Sequence, residues 1–208
     1  MTIAWAEQGQ THTLHWRSAQ GAAAPRRVQV ADDRLSADQA YRLACEGTAL
    51  LWRGDFQNAR QLLQALQRRI ERKPASSAAR AAAKTAQADA ATRFHLHRQA
   101  QAQRARTLGA LLIALEGDYS IALRRAPDWR VACTEAWGPA DGTPSVVSLR
   151  ELLGIVGAHE WRKKGVEIAA LGAAPHNRIH PHYGVFSPVR GEYLDLVANA
   201  PSHLDADS

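Results

Sequence analysis

The sequence predicts a mainly α chain with short β-hairpins, an α+β organisation, and three observations lead there. Two capping boxes open apolar runs, Ser36-Ala37-Asp38-Gln39 and Ser148-Leu149-Arg150-Glu151. Phe56, Ala59, Leu62, Leu63, Leu66 and Ile70 recur at spacings of three and four, which places them on one helical face. Leu111, Ile113 and Leu115 alternate before Glu-Gly-Asp, and Tyr119, Ile121 and Leu123 alternate after it, the pattern of an extended hairpin.

Taken in order, residues 1–34 are weakly patterned, with THTLHWRS and RRVQVAD as short strands around the small-residue turn GAAAP. Tyr41, Leu43, Ala44, Leu50 and Leu51 continue the helix begun at Ser36, and Arg53-Gly54 ends it. Asp55 is placed to cap a second helix, closed by Pro74, so 36–72 reads as an antiparallel helical hairpin. From 75 to 103 the chain is mostly Ala, Gln, Arg and Ser, with high helix propensity and little to bury. It is either a solvated helix or a connector that becomes helical near Phe94. The run LLIAL also fits a helix, because short apolar runs do not separate the two periods. Pro127 opens a short helix through Trp137, and Gly138-Pro139 closes it. Leu149, Leu152, Leu153 and Val156 face one way on the helix from Ser148, which ends in the cationic Trp-Arg-Lys-Lys-Gly. VEI and RIHPHYGVF read as extended, and Tyr193, Leu194 and Val197 restart a helical spacing. The expected organisation is an N-terminal segment with hairpin (1–73), an Ala/Arg-rich linker or exposed helix (74–93), an α+β module (94–201) and an acidic tail (202–208).

Composition narrows the function classes. No run approaches a membrane span, and the N-terminus has neither the basic start nor the apolar stretch of a secretory signal. Cys45 and Cys133 are far apart and have no CxxC spacing, which fits buried thiols in a reducing cytoplasm. The net charge is +6. Residues 59–107 hold eleven Lys/Arg against Glu71 and Asp89, whereas beyond Arg190 there are four acids and no Lys or Arg. Clustered cations release counterions from phosphate, so a nucleic-acid partner is one expectation, with Arg68, Arg69, Arg72 and Lys73 as first contacts. A solubilising Arg-rich surface gives the same composition.

The motifs that carry chemistry are mostly absent. His176, His180 and His182 form the sharpest metal candidate, but Pro181 interrupts the strand and no carboxylate or cysteine completes the set; no metal is expected. His159-Glu160 lacks the second histidine of HExxH, since Lys163 stands there. Neither G-x-S-x-G, GxxxxGK[ST] nor GxGxxG occurs. No catalytic residue can be assigned.

The stretches CTEAWGPADGTPSVVSLRELLGIVGAHEWRKKGVEIAALG and RIHPHYGVFSPVRGEYLDLVANAP resemble the region preceding the catalytic domain in bacterial class I S-adenosylmethionine-dependent methyltransferases of the methyltransferase small-domain kind. The segments 36–72 and 94–137 are similar to the same region. The resemblance implies an N-terminal substrate-recognition and lid part, with S-adenosylmethionine as the intact enzyme's cofactor and an RNA or protein as methyl acceptor. It implies that Tyr183, Phe186, Ser187, Pro188, Arg190 and Glu192 border the cofactor and substrate cleft; Phe186 and Tyr193 could equally pack a hairpin against a neighbouring sheet. After Pro201 such proteins continue into a strand and an acidic, glycine-rich D-x-G-x-G-x-G loop. Here SHLDADS stands instead. The resemblance therefore implies a helical module before a Rossmann-like domain missing from this chain, supplied by another chain or lost by truncation. Alone, the chain is expected to be inactive. The alternative from another class is a non-enzymatic nucleic-acid-binding or adaptor module built on the basic helices of 59–107.

Overall fold

The computed structural model describes residues 1–72, 89–185 and 191–200. Its centre is a mixed six-stranded sheet, which corrects the mainly α expectation. The strands are β1 (Thr2–Glu7), β2 (Gln10–Trp16), β3 (Arg27–Ala31), β4 (Thr48–Trp52), β5 (Leu111–Leu115) and β6 (Ser145–Ser148), in the order β1-β2-β6-β5-β4-β3. β1 and β2 form an antiparallel hairpin, β2 runs parallel to β6, β6 antiparallel to β5, and β5, β4 and β3 are mutually parallel. The sheet curls until β1 lies close to β3 at the opposite edge, so it is nearly closed.

Successive residues of the central strands enter two different cores, as the period of two requires. Ala49, Leu51, Leu112 and Val146 point into the curl, where they meet Ile3, Trp5 and Trp16. Leu50, Trp52, Leu111, Ile113 and Val147 face the other way, under the helices. Those helices are α1 (Ala37–Cys45), α2 (Phe56–Glu71), α3 (Ala90–Gly109), α4 (Arg130–Trp137) and α5 (Leu149–Lys164). Past α5 come the two-stranded pair β7 (Val166–Glu167) and β8 (Arg178–Ile179), a 3-10 turn at Ala169–Leu171, and α6 (Gly191–Ala198) against that turn.

The helical hairpin of 36–72 is not formed, because its first arm holds two elements. α1 stops at Cys45, and Gly47 takes φ +82°, a left-handed conformation that side-chain-bearing residues rarely adopt. The next five residues are β4, of which Ala49–Trp52 are all buried. A strand covered on both faces shows no alternation, so its apolar run merges with the helix before it. The hairpin expected over 111–123 also fails in its second half. Tyr119 sits at φ +69° in a turn, and β5 pairs instead with β4 and β6. The helical alternative for LLIAL is likewise excluded. The α2 face is as expected: Phe56, Ala59, Leu62, Leu63 and Leu66 are buried.

The two capping boxes part ways. Ser36 Oγ accepts from the Gln39 N–H at 3.3 Å, and the Gln39 side chain accepts from the Ser36 N–H at 3.4 Å. Ser36→Ala is expected to lower stability by about 1 kcal/mol, read from urea denaturation. At Ser148, by contrast, the hydroxyl makes no cap bond, and Glu151 reaches elsewhere.

Candidate functional site

What Glu151 reaches is the loop that follows β2. Its carboxylate accepts from Ser18 Oγ at 3.0 Å and from the Ala19 N–H. Trp16 Nε1 donates to the Ala22 carbonyl at 2.8 Å, and Ser18 Oγ accepts from the Ala22 N–H at 3.1 Å. These bonds fold residues 18–25 back over one end of the sheet, where β2 and β6 finish and β4 and β5 begin. Between that loop, the end of α1, the last turn of α3 and the first turn of α5 lies a cavity of about 890 Å³. This is the mouth of a nearly closed sheet, a recurrent place for small-molecule sites, whose volumes run roughly 300–1,000 Å³.

The space exists because small residues stand where the elements converge: Ala22, Ala23, Ala24, Ala44, Gly47, Ala49, Gly109, Ala110 and Gly154. Trp16 and Tyr183 add aromatic surface, and Arg106, Arg150 and Glu151 are the charged wall residues. Burial, and after it the charge of Glu151, push the Tyr183 phenol above its ordinary value, so it is a neutral donor at pH 7. Arg106 donates to Gln103 Oε1 at 2.6 Å. Ser148 lies in the wall, 6% exposed, and its hydroxyl has no hydrogen-bond partner. Both cysteines are free. Cys45 is exposed at the cavity wall, whereas burial pushes the Cys133 thiol up to about 11, which removes it as a nucleophile.

The residues singled out from sequence are only partly brought together. Tyr183 is in the cavity wall. Glu192 is exposed in the first turn of α6. Phe186, Ser187, Pro188 and Arg190 lie outside the described residues, as does Lys73. Arg68 is exposed on the last turn of α2 and Arg72 is exposed at its C-cap, while Arg69 pairs with Asp38. Within the same basic block Arg104 pairs with Glu71 at 2.8 Å, which neutralises part of the seam between α2 and α3. His180 Nδ1 lies 2.6 Å from the Arg162 carbonyl oxygen. Among the described residues no group of three or more His, Cys, Asp or Glu is placed to hold a metal ion. No described helix is long and apolar enough to cross a membrane.

Sequence reasoning missed the cavity, since its lining is scattered over five segments and ten of its 21 residues are alanine or glycine. One signal was present: Ser148 and Glu151 have box spacing, yet Arg150 places a cation in the first helical turn, against the helix dipole. Comparison with protein-family models, with curated proteins and with solved structures gives no match.

Proposed function

We propose that this chain is a substrate-recognition and lid module that works with an S-adenosylmethionine-binding catalytic domain, in the cytoplasm. The observation that carries the reading is Tyr183. The sequence resemblance puts this residue at the edge of the cofactor and substrate cleft, and it stands in the wall of the large cavity at the sheet's mouth. An aromatic and apolar wall with a few polar groups suits an organic substrate, and the 18–25 loop strapped by Glu151 suits a cover. In the assembled enzyme such a module would hold the acceptor in line with the donor methyl, so its contribution to rate is positioning. No residue of this chain is assigned to the chemical step.

The test has two arms. The reading frame beyond codon 208, and neighbouring genes, should encode an acidic D-x-G-x-G-x-G loop. Protein made with that domain should transfer labelled methyl from S-adenosylmethionine to RNA or protein, and the 208-residue chain alone should neither bind the donor nor transfer label. Absence of such a coding stretch together with no transfer overturns the proposal. So does donor binding by the chain alone.

A second reading, nucleic-acid binding without catalysis, is favoured by the exposed Arg68 and Arg72 beside the basic α3. Under that reading RNA affinity would fall steeply with salt, and Arg68→Ala with Arg72→Ala would flatten the salt slope by about two charges. Under the lid reading the pair leaves methyl-donor kinetics unchanged.

A further inference from the structure

The cavity carries more than its volume. Two departures from local rules, at Ser148 and Arg150, meet at the start of α5. Ser148 is the N-cap of a 16-residue helix, yet its side chain makes no cap bond. Its hydroxyl is buried and unpartnered, although such groups in proteins nearly always find a partner. Arg150 occupies the first turn, where the positive end of the helix dipole repels a cation. Glu151, the acid that suits this turn, has its carboxylate directed to the 18–19 loop.

The bare hydroxyl and the misplaced cation each cost stability, and a bound anion would relieve both. First-turn N–H groups and the Ser148 hydroxyl would donate to it, and Arg150 would lose its repulsion. Arg106, on the last turn of α3, supplies a second cation in the same wall. The wall charge is +2 from the arginines and −1 from Glu151, a net +1. Away from these groups most of the lining is apolar, namely alanine, glycine, Pro25, Cys45, Trp16 and Tyr183, with Gln20, Thr48 and Gln103 as its neutral polar members, which favours a largely apolar or aromatic body.

We propose that the cavity at the N-terminus of α5 is a binding site for a small organic anion, a phosphate or carboxylate head on a flat apolar body. The head sits among Ser148, Arg150 and Arg106, and the body lies toward Trp16 and Tyr183. The proposal stands independently of the methyltransferase reading, since it concerns a ligand of this chain alone.

The test uses the 208-residue protein and three probes of similar shape: phenyl phosphate, phenylacetate and the neutral phenylacetamide. Calorimetric titration should show that one or both anions bind, roughly tenfold or more tighter than the amide. Which anion wins separates a phosphate site from a carboxylate site. Arg106→Ala with Arg150→Ala should weaken the preferred anion by about tenfold or more and leave the amide unchanged, while the double lysine variant keeps affinity within a few-fold. Both arginines are exposed, so these variants should fold, checked by an unchanged melting temperature. The preferred anion should also slow alkylation of Cys45 by iodoacetamide, because that thiol lines the cavity, whereas Cys133 is buried. Equal affinity for anion and amide, no binding of any probe, or anion binding indifferent to the alanine pair would each overturn the site.

Discussion

Asp55→Ala is expected to lower the melting temperature by on the order of 5–10 °C, a large effect for one surface-connected loop position. Asp55 sits between β4 and α2 and is 1% exposed. One carboxylate oxygen accepts from the Gln57 N–H at 2.9 Å and so caps α2. The other accepts from Arg124 Nε at 2.9 Å and Arg125 Nε at 2.7 Å. The backbone is tied in as well: the Asp55 N–H donates to both oxygens of Asp33 at 3.1 Å, and the Asp55 carbonyl accepts from Trp52 Nε1 at 3.0 Å. Gly54 is required beside it, because a Cβ there would fall 2.5 Å from Asp33 Oδ1 and 2.8 Å from the Asp33 backbone nitrogen. Removing the carboxylate leaves two guanidinium groups side by side without their shared anion, and Arg125 already holds a left-handed φ of +56°. Asp55→Asn keeps the cap and loses the charge, so its loss should be smaller.

The same residue sets an acid limit. The Arg125 hydrogen bond above all, with the Gln57 N–H and the Arg124 charge, outweighs burial and lowers the carboxyl from 3.8 to about 2. The unfolded chain therefore takes up the proton first as pH falls. The stabilisation is complete above about pH 4 and disappears as pH falls through about 2. Urea midpoints measured from pH 6 to pH 2 should decline more steeply in the wild type than in Asp55→Asn. Parallel curves would show that other carboxylates dominate.

How much of this was legible in the sequence depended on which faces were covered. Most elements with one covered face announced themselves: β2 and β3 alternate, and α2 carries its apolar stripe at helical spacing, whereas β1, with Ile3 and Trp5 buried on one face, was not read as a strand. The Asp55 cap and the Ser36 box are local chemistry and were readable as such. β4 was not, since burial on both sides erases the alternation that distinguishes a strand. Its assignment needed the partners that only folding brings, Val28–Val30 on one side and Leu111–Leu112 on the other. Once β4 is a strand, the two capping boxes belong to helices on the same face of one sheet, and the fold class changes. The site was less legible still. Tyr183 was singled out, but Ser148 and Glu151 looked like an ordinary helix start. Their actual use, one hydroxyl left bare and one carboxylate pulled to a loop 132 residues away, is a tertiary fact.

Leu111→Ala and Leu112→Ala are expected to destabilise about equally, each by about 3 kcal/mol. The two side chains are neighbours on β5 and point to opposite faces. Leu111 lies in the core under the helices, Leu112 in the core inside the curl, and both are 0% exposed. A hairpin with one wet face makes a different forecast: one substitution is costly and its neighbour falls within about 0.5 kcal/mol of wild type. Urea denaturation of the two single variants therefore measures whether the sheet has two dry faces. The inner core is the smaller, and its buried Trp5 and Trp16 are each held by an indole N–H hydrogen bond, to Glu7 and to the Ala22 carbonyl, so the void left at Leu112 should collapse poorly and bring its cost at least to that at Leu111. Because domains of this size are stable by only about 5–15 kcal/mol, the double variant should be largely unfolded at 37 °C. A double variant that melts cooperatively near the wild-type temperature would mean that β5 is not the shared wall of two cores.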